Sequence, residues 1–385
     1  MCQTFPVASI VSIPPVRPRS LTGVLPDSLA AIGGVANPSG LPAVDHVVVV
    51  VVDGLGSRLL SARSGYARFL RSAPDRTIST VFPTTTAAAL TSLTTGAEPG
   101  QHGLVGYRTL DARHDRLVNQ LTGWDAGMDP DTWQRCRTVF ERAGDADVAA
   151  FAVGPATFVG SGFTRATLRG ATYEPADSLR ARFERADALT RANTRSLTYL
   201  YVPELDKISH QHGWESDRWT AALEELDGEM RRFTASVGRR VGVLLTADHG
   251  SLDVPHASQV LFDQAPELVA GVRHVGGEPR CLHLYLEPGV TASDRSSMAD
   301  VWRGSEGERA WVFSREEAVV EGLFGEVHDD VLPRIGDVIV AARKRIAYYD
   351  SRPADQAARR MIGQHGSLTD EERTVPFIRF GAFSE

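Results

Sequence analysis

Residues 47–54, Val-Val-Val-Val-Val-Val-Asp-Gly, decide how this chain folds. Six consecutive valines leave both side-chain faces apolar, and this pattern is typical of a strand buried on both faces of a parallel sheet. Asp53 ends the predicted strand. Because open α/β sheets bind their ligands beyond the carboxyl ends of the strands, Asp53 is also the first candidate site residue.

Further apolar, β-prone segments recur along the chain, and helical patterns separate most of them. The clearest helix follows Ser216, where apolar residues recur three and four positions apart until Gly238. This alternation predicts a doubly wound α/β sheet. The other predicted strands are residues 148–153, 197–202, 241–245 and 282–286.

The composition of the chain changes at two places, and both suggest boundaries. Residues 1–42 are rich in proline and small residues, which favours an irregular N-terminal arm on the surface. Residues 43–385 are long enough for one large α/β domain. Within it, proline, glycine and arginine interrupt short β-like pieces over about residues 254–327, and we expect an inserted subdomain there.

The overall composition is that of a globular protein and excludes several classes of function. The 385 residues include 41 Lys+Arg and 48 Asp+Glu, so the formal net charge is −7. With no long basic run, the chain is not expected to bind long nucleic acid. No apolar run approaches the roughly 18 residues of a transmembrane segment. The N-terminus lacks the apolar core of a signal peptide, and three scattered cysteines, Cys2, Cys136 and Cys281, favour a cytoplasmic location.

Carboxylate and imidazole side chains stand at four places where a sheet would bring them together. They are Asp53, Asp206 with His210, Asp248 with His249, and His365. Three aspartates and three histidines are enough to hold two metal ions that clamp phosphoryl oxygens, and mixed sets of this kind suit zinc. Taken singly, each group has a structural alternative, such as a helix cap at Asp53 or a turn at Asp248.

A candidate nucleophile lies in residues 82–90, Phe-Pro-Thr-Thr-Thr-Ala-Ala-Ala-Leu. The proline and threonines favour an extended approach, and the alanines favour a helix that ends near Gly96. A hydroxyl at the start of that helix would meet free N–H groups that attract a phosphoryl group, and a metal could activate it. Thr84, Thr85 and Thr86 could equally be simple helix caps.

In order and separation, these motifs resemble the alkaline phosphatase superfamily, and within it the type I phosphodiesterase and nucleotide pyrophosphatase family. The resemblance runs from Asp53 to His365 and includes Thr95-Gly96 and His102-Gly103. It implies a central sheet between helices, a variable cap that residues 254–327 could form, and two zinc ions. The implied nucleophile is Thr86, which would also bind metal. The implied ligands are Asp53, Asp248 and His249 for the ion that activates Thr86, and Asp206, His210 and His365 for the other ion.

The chain departs from the family pattern at two positions. Ala87-Ala88-Ala89 stands where family members often have Phe-Pro-Asn-His after the nucleophile, and Tyr107 stands where they have a phosphate-binding asparagine. A phenol can still donate one hydrogen bond, so Tyr107 is the candidate substrate-binding residue. The alternative is that its ring only packs beside the helix begun at Thr86.

The resemblance implies a hydrolase that cleaves a small phosphodiester or pyrophosphate, with a nucleotide as one candidate substrate, through a phospho-threonine intermediate. Three alternatives stay open on the sequence. A phosphotransferase or mutase would pass the phosphoryl group to an alcohol, a phosphonate hydrolase would cleave a carbon–phosphorus bond, and an inactive module on the same fold would only bind. Zinc is favoured over manganese by ligand type alone.

Overall fold

A seven-stranded sheet forms the centre of the molecule. The structure, a computed structural model, describes residues 19–73 and 75–384. In spatial order the strands are Asp75–Ser79, Thr374–Gly381, Val241–Thr246, His46–Val52, Ser196–Val202, Ala149–Gly154 and Thr172–Pro175. The first two strands in this order run antiparallel to their neighbours, and the remaining pairs are parallel.

The valine strand, His46–Val52, lies in the middle of this sheet. Val49 is paired with Tyr199 on one side and with Leu244 on the other, and all seven residues of the strand are buried. Both faces are covered, which explains why no polar residue interrupts the valines. The predicted doubly wound α/β class is therefore confirmed.

Helices cover the two faces of the sheet and connect its strands. The predicted helix after Ser216 spans Asp217–Ser236, and the Ser216 side chain accepts a hydrogen bond from the Trp219 backbone. The other α-helices described are Val24–Ile32, Ser57–Ala62, Arg68–Ser72, Thr86–Thr95, Pro99–His102, Pro130–Trp133, Val139–Asp145, Gly162–Thr167, Leu179–Ala192, Glu204–His212, Ala292–Glu306, Arg315–Val320 and Asp370–Arg373. In the part of the chain that the structure describes, no helix is both long and apolar enough to cross a membrane.

A second, antiparallel sheet packs beside the first. Its four strands, in spatial order, are Val272–Glu278, Cys281–Leu286, Val338–Ala342 and Ala310–Ser314. The predicted strand at 282–286 belongs to this sheet and not to the central one. Three short pairs complete the β structure: Arg108–Asp111 with Arg116–Asn119, Gln259–Leu261 with Ala347–Tyr349, and Leu252–Asp253 with Gly363–Gln364.

The predicted division of the chain into arm, domain and insertion stays a prediction. The structure differs from its details in the arm and at the end of the insertion. Residues 1–18 of the expected irregular arm lie outside the described residues. Further along that arm, Val24–Ile32 is an α-helix, because Val24, Leu25 and Ile32 can be buried in the main core. The second sheet also extends past residue 327, since Val338–Ala342 pairs with two of its other strands.

Candidate metal centre

Three neighbouring strands of the central sheet deliver five of the six candidate ligands to one edge. Asp53 directly follows the valine strand, and Asp248 and His249 follow the strand Val241–Thr246 on one side of it. On the other side, the strand Ser196–Val202 leads into the helix Glu204–His212, which carries Asp206 and His210. Because these strands are parallel, their carboxyl ends meet, as expected for a ligand site of an α/β sheet.

Asp53, Asp248 and His249 form the first cluster. One ligand atom from each lies within 4.8 Å of the others. The His249 Nε2 atom is 3.4 Å from the Asp53 carboxylate and 3.3 Å from that of Asp248. The other oxygen of Asp248 accepts hydrogen bonds from the Gly54 and His249 backbone N–H groups, so the carboxylate is held in place.

Asp206, His210 and His365 form the second cluster, again with ligand atoms within 4.8 Å of one another. Asp206 and His210 are four residues apart on one helix face, and their side chains approach to 3.0 Å. His365 comes from the loop after Gly363–Gln364, and its Nε2 atom is 4.0 Å from Asp206. The rings of His249 and His365 stack at 3.7 Å, so the two clusters are adjacent.

Each histidine of the two clusters has its Nδ1 atom beside a backbone carbonyl. The partners are Gly250 for His249, Gly363 for His210 and Thr84 for His365, at 2.8 to 3.1 Å. An Nδ1–H that donates to a carbonyl leaves Nε2 as the free lone pair. This arrangement fixes the ring and the tautomer in the way that metal-binding histidines require.

Unpaired carboxylate oxygens provide an independent test of whether these residues fit metal ions. One oxygen each of Asp53, Asp206 and Asp248 is buried and accepts no hydrogen bond from the described residues. A buried polar atom without a partner is costly, and a cation would satisfy all three. The residues therefore fit two metal ions, one in each cluster.

The electrostatics of the clusters also favour cation binding. Burial, followed by the neighbouring Asp248 and Asp206 carboxylates, raises the pKa of Asp53 well above its usual value. Burial and Asp206 raise the pKa of Asp248 to about 6. Burial lowers the pKa of His249 to about 4 and that of His365 to about 3, so both rings stay neutral at pH 7. Burial opposes the shift at His210, but the Asp206 carboxylate raises the pKa of this ring to about 9, so a cation at the second cluster would displace a proton from it. Crowded carboxylates beside the neutral rings of His249 and His365 are a ligand set that divalent cations stabilise.

The three consecutive threonines have three different environments. The Thr84 hydroxyl accepts from the Gly366 backbone N–H and donates to the Ser367 carbonyl, which ties it to the His365 loop. Thr85 precedes the helix Thr86–Thr95 and is buried. Only Thr86 among the three is partly exposed, and its hydroxyl lies 3.1 Å from the His249 Nε2 atom. Among the three threonine hydroxyls, the structure thus places only that of Thr86 on a candidate metal ligand.

A cavity of about 980 Å³ opens over both clusters and the start of the Thr86 helix. Its lining includes Thr86, four of the six candidate ligands and many aromatic side chains. Tyr107 is half-buried and lines the same cavity, so its hydroxyl is placed where a substrate could meet it. Whether it binds substrate stays a prediction.

Two polar residues of this site were missed in the sequence. The Tyr201 hydroxyl donates a hydrogen bond to Asp53. Glu278 lines the cavity, and one of its buried oxygens has no partner among the described residues. Burial raises the pKa of this carboxyl well above its usual value, although a hydrogen bond from Thr85 opposes the shift. The sequence did contain a signal for Tyr201, because Tyr199 and Tyr201 are two residues apart in a predicted strand and therefore lie on the same face. Nothing local marked Glu278, which reaches the site from the second sheet.

A buried ion pair joins the second sheet to the His365 loop. Arg280 donates its five N–H bonds to the Glu372 carboxylate and to three backbone carbonyls, so the guanidinium is fully satisfied. Glu372 also accepts from the Ser367 backbone and the Thr369 hydroxyl. Both side chains of the pair are completely buried. The turn after Glu278 is therefore fixed against the loop that carries His365.

Comparisons with known proteins agree with this geometry. Residues 47–368 match the type I phosphodiesterase / nucleotide pyrophosphatase family. Murine ectonucleotide pyrophosphatase / phosphodiesterase 5 has a similar structure, with a TM-score of 0.65 at 16% identity over 87% of this chain and 88% of that one. Phosphonoacetate hydrolase from Sinorhizobium meliloti 1021, in complex with phosphonoacetate, gives 0.67 at 18% identity over 88% and 91%. No curated protein matches the chain in sequence.

Proposed function

Since the chain belongs to the type I phosphodiesterase / nucleotide pyrophosphatase family of the alkaline phosphatase superfamily, we propose that it hydrolyses a small phosphodiester or pyrophosphate through a phospho-threonine on Thr86. Family membership makes it a metal-dependent hydrolase of phosphoric ester or phosphoanhydride bonds. The threonine intermediate, the choice of zinc and the nature of the substrate are the proposal.

The observation that carries this proposal is the position of the Thr86 hydroxyl. It lies 3.1 Å from the His249 Nε2 atom, faces the cavity and stands at the first residue of a ten-residue helix. With Nδ1 of His249 donating to the Gly250 carbonyl, its Nε2 lone pair would hold the metal ion, and the Thr86 hydroxyl beside that ion would lose its proton to solvent. The free N–H groups of the helix start favour a phosphoryl group at the same place.

The two clusters would hold the metal ions, with Asp53, Asp248 and His249 at the ion beside Thr86. When bound, such ions neutralise phosphoryl oxygens and lower the pKa of a nearby hydroxyl. Imidazole and carboxylate ligands in equal number favour zinc.

The reaction has two displacements at phosphorus. The Thr86 oxygen forms a bond to phosphorus as the bond to the leaving group breaks, and the leaving oxygen keeps the electron pair. Water then attacks the same phosphorus, Thr86 is released, and the product is a phosphomonoester. Tyr107 is proposed to donate a hydrogen bond to a phosphoryl oxygen in both steps.

A nucleotide is the substrate class that fits best. An inactive threonine-to-alanine variant of murine ectonucleotide pyrophosphatase / phosphodiesterase 5 was solved in complex with AMP. By analogy with that protein, the aromatic lining of the present cavity would suit a nucleobase, since bases stack on aromatic rings.

Acid-quenched turnover tests the proposal. The metal-loaded enzyme is given a nucleotide phosphodiester, a pyrophosphate, a phosphomonoester and a phosphonate, and the peptide containing Thr86 is examined by mass spectrometry. We expect turnover of the first two and a Thr86 that carries the nucleotidyl group of the substrate. Thr86→Ser should retain part of the rate, Thr86→Ala should have none, and Thr85→Ala serves as the neighbouring control.

Three outcomes would replace the proposal by an alternative. Transfer to an alcohol without release of phosphate or nucleotide would indicate a phosphotransferase. Turnover of the phosphonate alone would indicate a phosphonate hydrolase. Binding without turnover, in protein that contains metal, would indicate an inactive module.

A further inference from the structure

A single cation faces the cavity. Lys207 is the one lysine or arginine among the described residues that line it. Pro203, Asp206, Lys207 and His210 all line the cavity, and their spacing of three, four and seven residues puts them on one face of the helix that begins at Glu204. Lys207 therefore shares a face with both helical ligands of the second cluster.

Among the described residues, no carboxylate is paired with the Lys207 ammonium group. Within residues 19–73 and 75–384, no carboxylate oxygen lies within 4.0 Å of its Nζ atom. Its contact is the ring of Phe158, whose centroid is 5.6 Å from Nζ. About half of the described arginines, in contrast, are paired with carboxylates, and one of them, Arg182, contacts Glu204 at the start of the helix that carries Lys207. A cation on an aromatic wall beside a substrate cavity is placed to attract an anion.

The direction of the reaction decides which part of the substrate Lys207 would meet. Thr86 contacts His249 of the first cluster, so the attacking oxygen belongs to that side. In a two-metal displacement the leaving oxygen is opposite the attacking one and belongs to the other ion. The leaving group is therefore expected beside the second cluster, where Lys207 follows Asp206.

We propose that Lys207 binds the leaving group and favours substrates whose leaving group carries more negative charge. Phosphoanhydrides, which release phosphate or pyrophosphate, would be hydrolysed in preference to diesters that release an uncharged alcohol. This inference rests on the function proposed above and adds a specificity-determining residue to it.

The experiment compares two substrates that leave the same adenylyl group on Thr86. ATP releases pyrophosphate, whose phosphate charges are already present in the substrate, and the p-nitrophenyl ester of AMP releases p-nitrophenolate, whose nitrophenyl part is uncharged until the bond breaks. In Lys207→Met, we expect kcat/KM for ATP to fall about 10- to 100-fold, the range for losing a hydrogen bond to a charged group. The ester should change less than about threefold, and Lys207→Arg should recover part of the loss with ATP.

Product inhibition supplies a readout that does not depend on turnover of ATP. Inorganic pyrophosphate should inhibit hydrolysis of the ester by Lys207→Met about 10- to 100-fold less strongly than it inhibits the wild type. Inhibition by AMP should be unchanged. Lys344→Met, which alters the only other lysine of the chain at an exposed position outside the cavity lining, is the matched control.

The possible results distinguish a failure of the role of Lys207 from a failure of the proposed function. Equal loss on both substrates, no loss on either, or a wild type that cleaves the ester but not ATP would overturn the role of Lys207 alone. A wild type that cleaves neither substrate would overturn the proposed function.

Discussion

The two candidate metal clusters are built in different ways. The side chains of Asp53, Asp248 and His249 in the first cluster are at most 6% exposed, and each follows a neighbouring strand of the central sheet. In the second cluster, His210 is 23% exposed, and His365 belongs to a loop. The register of the sheet positions the first cluster, whereas the second depends on contacts from distant parts of the chain.

The His365 loop shows what this dependence involves. Thr84 holds the loop from the side of the Thr86 helix, through its hydroxyl and its carbonyl. The Arg280–Glu372 pair holds it from the second sheet, since Glu372 accepts from the Ser367 backbone. The position of His365 therefore depends on two elements that are far apart in sequence.

The largest effect should come from removing one histidine of each cluster. His249→Ala takes away a ligand of the ion that would activate Thr86, so we expect kcat/KM to fall on the order of 10³-fold or more, which corresponds to roughly 4 kcal/mol of transition-state stabilisation. His365→Ala should lose less activity, because the ion beside Thr86 keeps its ligands.

Metal analysis checks the assignment of the ligands. The wild type should contain about two divalent ions, and each variant about one less. A chelator should abolish activity in all of them. Full activity of metal-free protein would remove the metals from the mechanism, and an unchanged metal content in His365→Ala would remove this residue from the second cluster.

The first cluster was largely predictable from the sequence for a physical reason. A strand buried on both faces has a continuous apolar pattern, so a charged residue at its end stands out, as Asp53 does after the valines. The helix at Asp206 and His210 and the end of the Thr86 helix at Gly96 are equally local features, and Gly96 adopts the left-handed conformation that favours glycine, with φ of 73°.

The parts of the site that were not predictable depend on packing between elements distant in sequence. Glu278, Arg280 and Glu372 come together only because the second sheet docks on the central one, and no spacing in the sequence reports that contact. His365 was a candidate from its position in the sequence, but its assignment to the second ion came from the family resemblance, since a histidine before a glycine has no local signature. The cytoplasmic location expected from the cysteines stays a prediction.

Breaking the ion pair behind the second cluster is the next largest expected effect. Arg280→Met would leave the fully buried Glu372 carboxylate without its cation, which costs about 3–5 kcal/mol of unfolding free energy. Because the His365 loop depends on Glu372, the second cluster should also bind its metal more weakly than the first. Urea denaturation and metal titration measure the two effects.

An exposed pair on the same helix provides the control. Arg58 contacts Asp370, two residues before Glu372, with both side chains more than half exposed. Arg58→Met should change the free energy of unfolding by less than about 1 kcal/mol and leave metal binding intact. If Arg280→Met behaved like Arg58→Met, the second cluster would not depend on the buried pair.

The next prediction concerns Tyr107, the candidate substrate-binding residue. Tyr107→Phe is expected to have a somewhat smaller effect than Arg280→Met. If its hydroxyl donates to a phosphoryl oxygen in the transition state, Tyr107→Phe should cost about 2.7–4 kcal/mol, or roughly 100- to 1,000-fold in rate. Tyr173→Phe is the matched control, because the Tyr173 ring lines the same cavity while its hydroxyl donates to the Pro155 carbonyl. A Tyr107→Phe rate within a few-fold of the wild type would mean that the ring only packs.

The smallest expected effect concerns the stability of the protein and comes from His102, which lies outside both clusters. This histidine can be compared with the candidate metal ligands. His102 is fully buried, and its Nδ1 atom accepts from the Leu104 backbone N–H. Its Nε2 atom, which must then carry the proton, lies 2.8 Å from the Ser92 hydroxyl. Burial, and to a smaller extent the charge of Arg334, lowers the pKa of His102 to about 3. Here burial keeps the ring neutral, and the hydrogen bonds fix which nitrogen carries the proton.

The sign of the resulting pH dependence follows from linkage. Because the pKa of His102 is lower in the folded state than the value near 6.5 of the unfolded chain, the unfolded state takes up the proton first as the pH falls. Stability is therefore fully present above pH 6.5 and is lost on the way down to about pH 3, with about 2 kcal/mol lost between pH 7 and pH 5. His102→Gln, in metal-loaded protein, should lose about 2 kcal/mol less than the wild type over this interval. His212→Gln, at an exposed position, should follow the wild type, and identical curves for all three proteins would show that His102 is free to take up a proton in the folded state.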